Sequence, residues 1–134
     1  MESKLLPHGE AFLFFDEILS ANVDEVVGTY IFKQSHKIFQ GKSDLLHVPQ
    51  VMLIESIIQC GGAGVRKTGF TNGLFGLVKV DIAKFLEPVY FDQMVTYKIK
   101  NIHLKKDLIV QKGKGYIDAK PVLEASWSTV RIKK

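Results

Sequence analysis

Glu55 is the residue of this chain best placed to do chemistry. It stands in Val51-Met52-Leu53-Ile54-Glu55-Ser56-Ile57-Ile58-Gln59-Cys60, a run otherwise dominated by Val, Met, Leu and Ile. A carboxylate in such surroundings is costly unless it is paired, hydrogen-bonded or protonated. In a helix, the positive N-terminus would favour its charged form and burial its neutral form. A carboxyl poised between those effects suits general acid–base work. The plainer alternative is a glutamate satisfied by a local hydrogen bond, or one turned out at an incompletely covered edge. Gln59, one turn on, is spaced to fix Glu55 by an i,i+4 contact. Amide groups around Val51 and Met52, at the start of the helix, are placed to polarise a carbonyl oxygen, as at any helix start.

His47 lies eight residues before Glu55, in the loop leading to the helix, and His36 lies earlier, beside Lys37. A lone loop histidine is more often structural or solvated than catalytic. The four histidines (His8, His36, His47, His103) show no metal-ligand spacing, so no metal site is expected. The single cysteine, Cys60, excludes an internal disulfide. Nothing cationic sits near it in sequence to lower its pKa, and it reads as a small core residue. Gly113-Lys114-Gly115 matches no phosphate loop and reads as strand or bulge. Trp127 alternates with polar neighbours and reads as core.

These residues need elements to position them. Pro49 suits the first turn of a helix over Gln50–Lys67. Val51, Ile54 and Ile58 share helical spacing, and Leu53, Ile57 and Met52 extend the apolar surface around the rod, which predicts a buried helix. Gly61, Gly62 and Gly64 each cost about 1 kcal/mol relative to Ala in a helix. They imply close packing at that end, or fraying. Before the helix, Phe12–Phe15 and Val26–Phe32 read as strands, with Ala21-Asn22-Val23-Asp24 as the turn between them. After it, Phe75–Phe85, the stretch around Val95–Lys100, Leu108–Tyr116 and Val122–Ile132 read as strands, with Asp118-Ala119-Lys120-Pro121 as a hairpin turn. One antiparallel sheet of five to six strands wrapped around one long helix satisfies this order, an α+β architecture in a single domain. Such a sheet leaves edges open, and pairing between two copies is the natural remedy.

The 134 residues are 46% hydrophobic and 24% charged, which argues against intrinsic disorder. The apolar window from Val51 to Val65 is interrupted by Glu55, Ser56 and Gln59 and falls short of the roughly 20 apolar residues that span a bilayer. With no signal-peptide pattern at Met1-Glu2-Ser3-Lys4, a soluble cytoplasmic protein is expected. The net charge is +4, and ten of the lysines and arginines, from Lys98 to Lys134, fall in the C-terminal third. They suit a solvated sheet face or attraction to an acidic partner. Nucleic acid is not expected, because no zinc-finger, KH or RNP pattern appears.

Several segments together resemble the hot-dog-fold 3-hydroxyacyl-acyl-carrier-protein dehydratases. They are Leu6-Pro7-His8 with Phe12–Glu17, Phe39-Gln40-Gly41, Pro49 with Val51–Gly62, Asp81–Phe85 with Pro88-Val89, and Gly115–Lys120 with Val122 and Glu124-Ala125. The resemblance implies a hot-dog dimer in which a histidine removes the proton next to the thioester carbonyl. A helix glutamate from the other subunit helps the β-hydroxyl leave as water, and Glu55 falls on that position. It further implies an acyl tunnel beside the helix, drawing on Val51, Met52, Ile54, Ile58 and Gln59 and on the Phe75–Phe85 strand. Substrate would arrive on acyl carrier protein or coenzyme A, with no cofactor.

The pattern departs from the family around the reaction centre. After Phe39-Gln40-Gly41 the family has histidine, phenylalanine and proline, where this chain has Lys42-Ser43-Asp44. The family's glycine at the helix start is Gln50, and its proline-glycine-aspartate turn reads Phe91-Asp92-Gln93. Three readings follow. The chain is a dehydratase with another base, His47 or a Lys42 whose pKa burial has lowered. Or it is a non-catalytic acyl-binding or partner subunit. Or it is a hot-dog thioesterase in which Glu55 activates water.

Overall fold

The structure is a computed structural model and describes residues 16–36, 39, 45–69 and 75–131. The expected strand at Phe12–Phe15 lies outside the described residues. The elements run β1 (Glu17–Ala21), β2 (Glu25–Ile31), α1 (Gln50–Lys67), β3 (Phe75–Phe85), β4 (Met94–Leu104), β5 (Leu108–Ile117) and β6 (Lys120–Arg131). The strands form one six-stranded sheet in the order β1-β2-β4-β5-β6-β3. Every neighbouring pair is antiparallel.

Period-two patterning decides which face is which. Val95, Tyr97 and Ile99 of β4 are buried, while Lys98 and Lys100, in the opposite phase, are exposed. Leu123, Ala125 and Trp127 continue the inner layer on β6. The lysines form a block on the solvent face, where Lys98 stands opposite Lys114 and Lys100 opposite Lys112. Lys114 is relieved by Glu124 at 3.9 Å, and Lys98 lies over the Tyr116 ring, 5.4 Å from its centre.

The β1–β2 connection is built by Asn22, whose Oδ1 accepts the amides of Asp24 at 2.8 Å and Glu25 at 3.0 Å. This side-chain mimicry of a backbone turn is what asparagine does well. The β5–β6 turn is tighter than the sequence suggests. Asp118, at φ 54°, makes the reversal, and Lys120 and Pro121 already belong to β6. Pro121 faces Tyr116 at a register shift, a place where a missing N–H is tolerated.

The helix lies on the inner face of the sheet, mainly over β1 and β2. Its glycines permit that approach. A Cβ on Gly64 would run into the Val26 side chain, and one on Gly61 would come within 2.5 Å of Gln111 Oε1. Close packing, rather than fraying, explains these two residues. The expectation of a helix buried all round is corrected. Leu53, Ser56, Ile57, Gln59, Cys60 and Ala63 are buried, whereas Val51 is 70% exposed and Glu55 is exposed. Met52, Ile54 and Ile58 are half-buried. The sheet covers one side of the helix, and the side that carries Val51 and Glu55 is exposed.

A buried polar chain fixes the helix to the sheet. Gln111, 1% exposed, donates from Nε2 to the Gly61 carbonyl at 3.1 Å and to Asn101 Oδ1 at 2.8 Å. It accepts the Trp127 indole N–H at 3.1 Å. Asn101 in turn donates to the carbonyls of Asn22 and Val23 in the β1–β2 turn.

Candidate functional site

Pro49 caps the helix start in an extended conformation, with no side-chain cap. Its carbonyl accepts the Met52 amide at 3.0 Å. Of the two amides expected to polarise a substrate carbonyl, that of Met52 is thus engaged by the Pro49 carbonyl.

Glu55 emerges one turn later on the uncovered side. Gln59 donates from Nε2 to Glu55 Oε2 at 2.9 Å, the i,i+4 contact its spacing suggests. Gln59 is itself only 3% exposed, so its amide is a fixed donor for an exposed carboxylate. The half-buried Met52, Ile54 and Ile58 pack against the core and surround Glu55 with apolar surface. Its neighbour Ser56 is committed to structure, since its Oγ accepts the Tyr97 hydroxyl at 2.7 Å in the core. Burial pushes the Tyr97 phenol far above its ordinary value. Burial, with a contribution from Asp16, pushes that of Tyr30 up to about 12.

His47 stands beside the helix start. Its Nδ1 lies 3.2 Å from the Val48 carbonyl oxygen. A carbonyl only accepts, so this contact places the proton on Nδ1 and leaves Nε2 as the basic nitrogen. His47, Gln50, Leu53, Phe85, Glu87 and Val89 are among the residues lining a cavity of about 180 Å³ between the helix start and the β3–β4 connection. Glu55 does not line it. Within one chain, then, the two candidate groups occupy different places. Lys42 lies outside the described residues. At the position of the family's turn glycine, Asp92 takes φ 72°.

Two features escaped the sequence reading. Val78, Val80 and Ile82 of β3 are 45%, 42% and 52% exposed, so the edge strand carries apolar surface at the end of the sheet. Their β-branched run was visible, but not which face it served. Gln111 was also missed. Its signal was a polar residue in phase with Ile109, Gly113 and Gly115 on the inward side of β5.

No family model matches the chain. Curated relatives do. The 3-hydroxyacyl-acyl-carrier-protein dehydratase FabZ of Desulfotalea psychrophila is 31% identical over 132 residues, covering 90% of this chain and 84% of the relative. The chain belongs to the FabZ dehydratase family. The FabZ of Aliarcobacter butzleri is 27% identical over 139 residues, covering 98% of this chain and 95% of that protein. Among solved structures, a chain of the dehydratase heterocomplex ApeI:P from Xenorhabdus doucetiae superposes with a TM-score of 0.77 at 10% identity. It covers 99% of this chain and 91% of that one. A hypothetical thioesterase from Streptococcus pneumoniae, solved with coenzyme A, superposes with a TM-score of 0.65 at 16% identity, covering 88% and 86%. The FabZ-family assignment and these likenesses agree on the hot-dog fold expected from the sequence. Among the described residues, no helix is long and apolar enough to cross a membrane.

Proposed function

We propose that this FabZ-family chain is a 3-hydroxyacyl-thioester dehydratase, acting as one hot-dog domain in a cytoplasmic homodimer. The observation that carries the reading is Glu55, held by Gln59 at 2.9 Å on the uncovered, apolar-rimmed side of the helix. A second copy laid over that side would bury the carboxyl and exclude water from it. It would also bring Glu55 opposite the helix-start cavity of the other chain, where His47 stands.

The elimination needs one base and one acid. A neutral nitrogen, Nε2 of His47 or Nζ of Lys42, removes a C2 proton. The electron pair forms the C2–C3 double bond, the C3–O bond breaks, and protonated Glu55 gives its proton to the departing hydroxyl, which leaves as water. The Val51 amide steadies the charge that gathers on the thioester oxygen. Met52, Ile54 and Ile58 line the acyl path, Gln59 keeps the carboxyl in register, and no cofactor is required. The relatives' names point to acyl carrier protein as the carrier, and the thioesterase likeness admits coenzyme A. Both are anionic and suit the basic surface.

The test is dehydration of a 3-hydroxyacyl thioester, followed by the absorbance of the 2-enoyl product. Wild type should turn over, and Glu55→Gln should lower the rate at least about a hundredfold, the usual worth of a positioned acid. His47→Ala and Lys42→Ala, run side by side, identify the base. Turnover unaffected by Glu55→Gln overturns the mechanism. A second reading, a subunit that pairs with a histidine-bearing paralogue, draws on Lys42 at the family's histidine position and on the likeness to a dehydratase heterocomplex. It predicts turnover only after the paralogue is added.

A further inference from the structure

The outer face of the sheet, turned away from α1, carries a pattern that the dehydratase reading does not use. Along β5, Ile109, Gln111 and Gly113 are buried, and Leu108, Val110, Lys112 and Lys114 alternate with them on the outer side. There Lys98 stands opposite Lys114 and Lys100 opposite Lys112, on the two middle strands of the sheet. Like charges placed directly across a ladder destabilise it. Among the described residues, Glu124 reaches Lys114 at 3.9 Å, and Glu25 on β2 stands opposite Lys100. Lys112 is flanked across the strands by Lys100 and Ser126. Two opposed lysine pairs at the middle of a sheet suit an anionic surface laid against them.

The same face turns apolar toward the β4–β5 turn. Leu108 stands opposite Val130 on β6, and the two are 36% and 39% exposed. Val110, next along the outer side of β5, is half-buried. Beyond them the turn presents Lys105 and Lys106, both exposed, with Asp107 beside them. It is closed by the Lys105 amide on the Leu108 carbonyl at 2.9 Å. An apolar patch thus lies between two groups of lysines.

We infer that this face is a docking surface for an anionic lipid bilayer. Lys98, Lys100, Lys112 and Lys114 meet the headgroups, and Leu108 and Val130 enter the boundary beneath them. Charge alone would suit an acidic protein equally well. The exposed apolar pair favours lipid, because apolar side chains flanked by cations are what an interfacial site requires. Each lysine close to an anionic bilayer strengthens binding about fivefold. The contact is peripheral, with the sheet lying on the bilayer. In the proposed dimer the second copy covers the exposed side of α1, which is the opposite face, so dimer and bilayer do not compete. The inference does not rest on the dehydratase chemistry, since none of these residues belongs to the proposed site.

Co-sedimentation of the full chain with vesicles tests the inference. Vesicles of phosphatidylcholine doped with phosphatidylglycerol should bring the protein down, and vesicles of pure phosphatidylcholine should leave it in solution. Lys112→Glu should weaken binding about tenfold or more. It should also raise the melting temperature, because a glutamate then faces Lys100, so the loss of binding cannot be ascribed to unfolding. Leu108→Ser, and Val130→Ser on the opposite strand, should weaken binding severalfold with no change of charge. The inference is overturned if anionic vesicles leave wild type in solution, if pure phosphatidylcholine binds it equally well, or if the Lys112 or both serine variants sediment like wild type. It is overturned in favour of an acidic protein if anionic vesicles fail and acyl carrier protein binds wild type but not Lys112→Glu.

Discussion

Two kinds of polar group coexist on the helix. Glu55 is exposed and steadied by a single amide, whereas Ser56 is buried and answered by a phenol. The first is available to a ligand, and the second is spent on the core. The phenols give the core a pH signature. Tyr30 is raised to about 12 and Tyr97 is raised further by burial, while an unfolded chain titrates its tyrosines near 10. Between pH 10 and about 12 the unfolded state sheds protons that the folded state retains. Stability that is fully present below pH 10 is therefore lost as pH rises through that window. Urea midpoints measured from pH 9 to 12 should fall, and Tyr30→Phe should flatten the slope without abolishing it, because Tyr97 remains. A flat wild-type profile would contradict the burial of both rings.

Among the elements, α1 is set by its glycines. Gly64→Ala should gain about 1 kcal/mol of helix propensity. It should lose more, about 1–3 kcal/mol, by forcing a methyl into the Val26 side chain. A lower melting temperature is expected, with partial recovery in the double variant Gly64→Ala, Val26→Ala. Much at this scale was legible in the sequence. The bounds of α1 and β3 follow from long apolar runs bordered by proline, glycine and polar residues. The Asn22 turn follows from asparagine chemistry. The β5–β6 turn was drawn too long because Lys120-Pro121 looks like loop, although the first residues of a strand beside a register shift accept proline. The exposed side of α1 was illegible for a different reason. An all-round apolar helix is produced equally by burial in its own core and by burial against another chain, and one sequence carries the same letters in both cases. The candidate site was half legible. Glu55 and Gln59 declare themselves by type and spacing, while the separation of His47 from Glu55 depends on where the loop lays its histidine.

For the molecule as a whole, a half-covered helix and an uncovered edge strand point the same way. Val51 is 70% exposed, and Ile58 sits half-buried on the side that carries Glu55. Full burial of such side chains is worth about 1.5–3 kcal/mol each. In the proposed dimer, Ile58→Asp would set a charge against the second copy, and light scattering should then read a monomer. Dehydratase turnover should disappear in the same samples, because the acid and the base would sit on different chains. A monomer with undiminished turnover would show that one chain holds the complete site.

Gln111 gives the helix a keyway. Grease alone lets a rod roll, since one methyl serves as well as the next against a smooth bed. A lone glutamine that grips the Gly61 carbonyl, the Trp127 indole and Asn101 turns rolling into a forfeit of several enclosed hydrogen bonds at once. The direction in which Glu55 points is thereby decided on the opposite flank of the rod, by a residue fifty-six positions later in the chain.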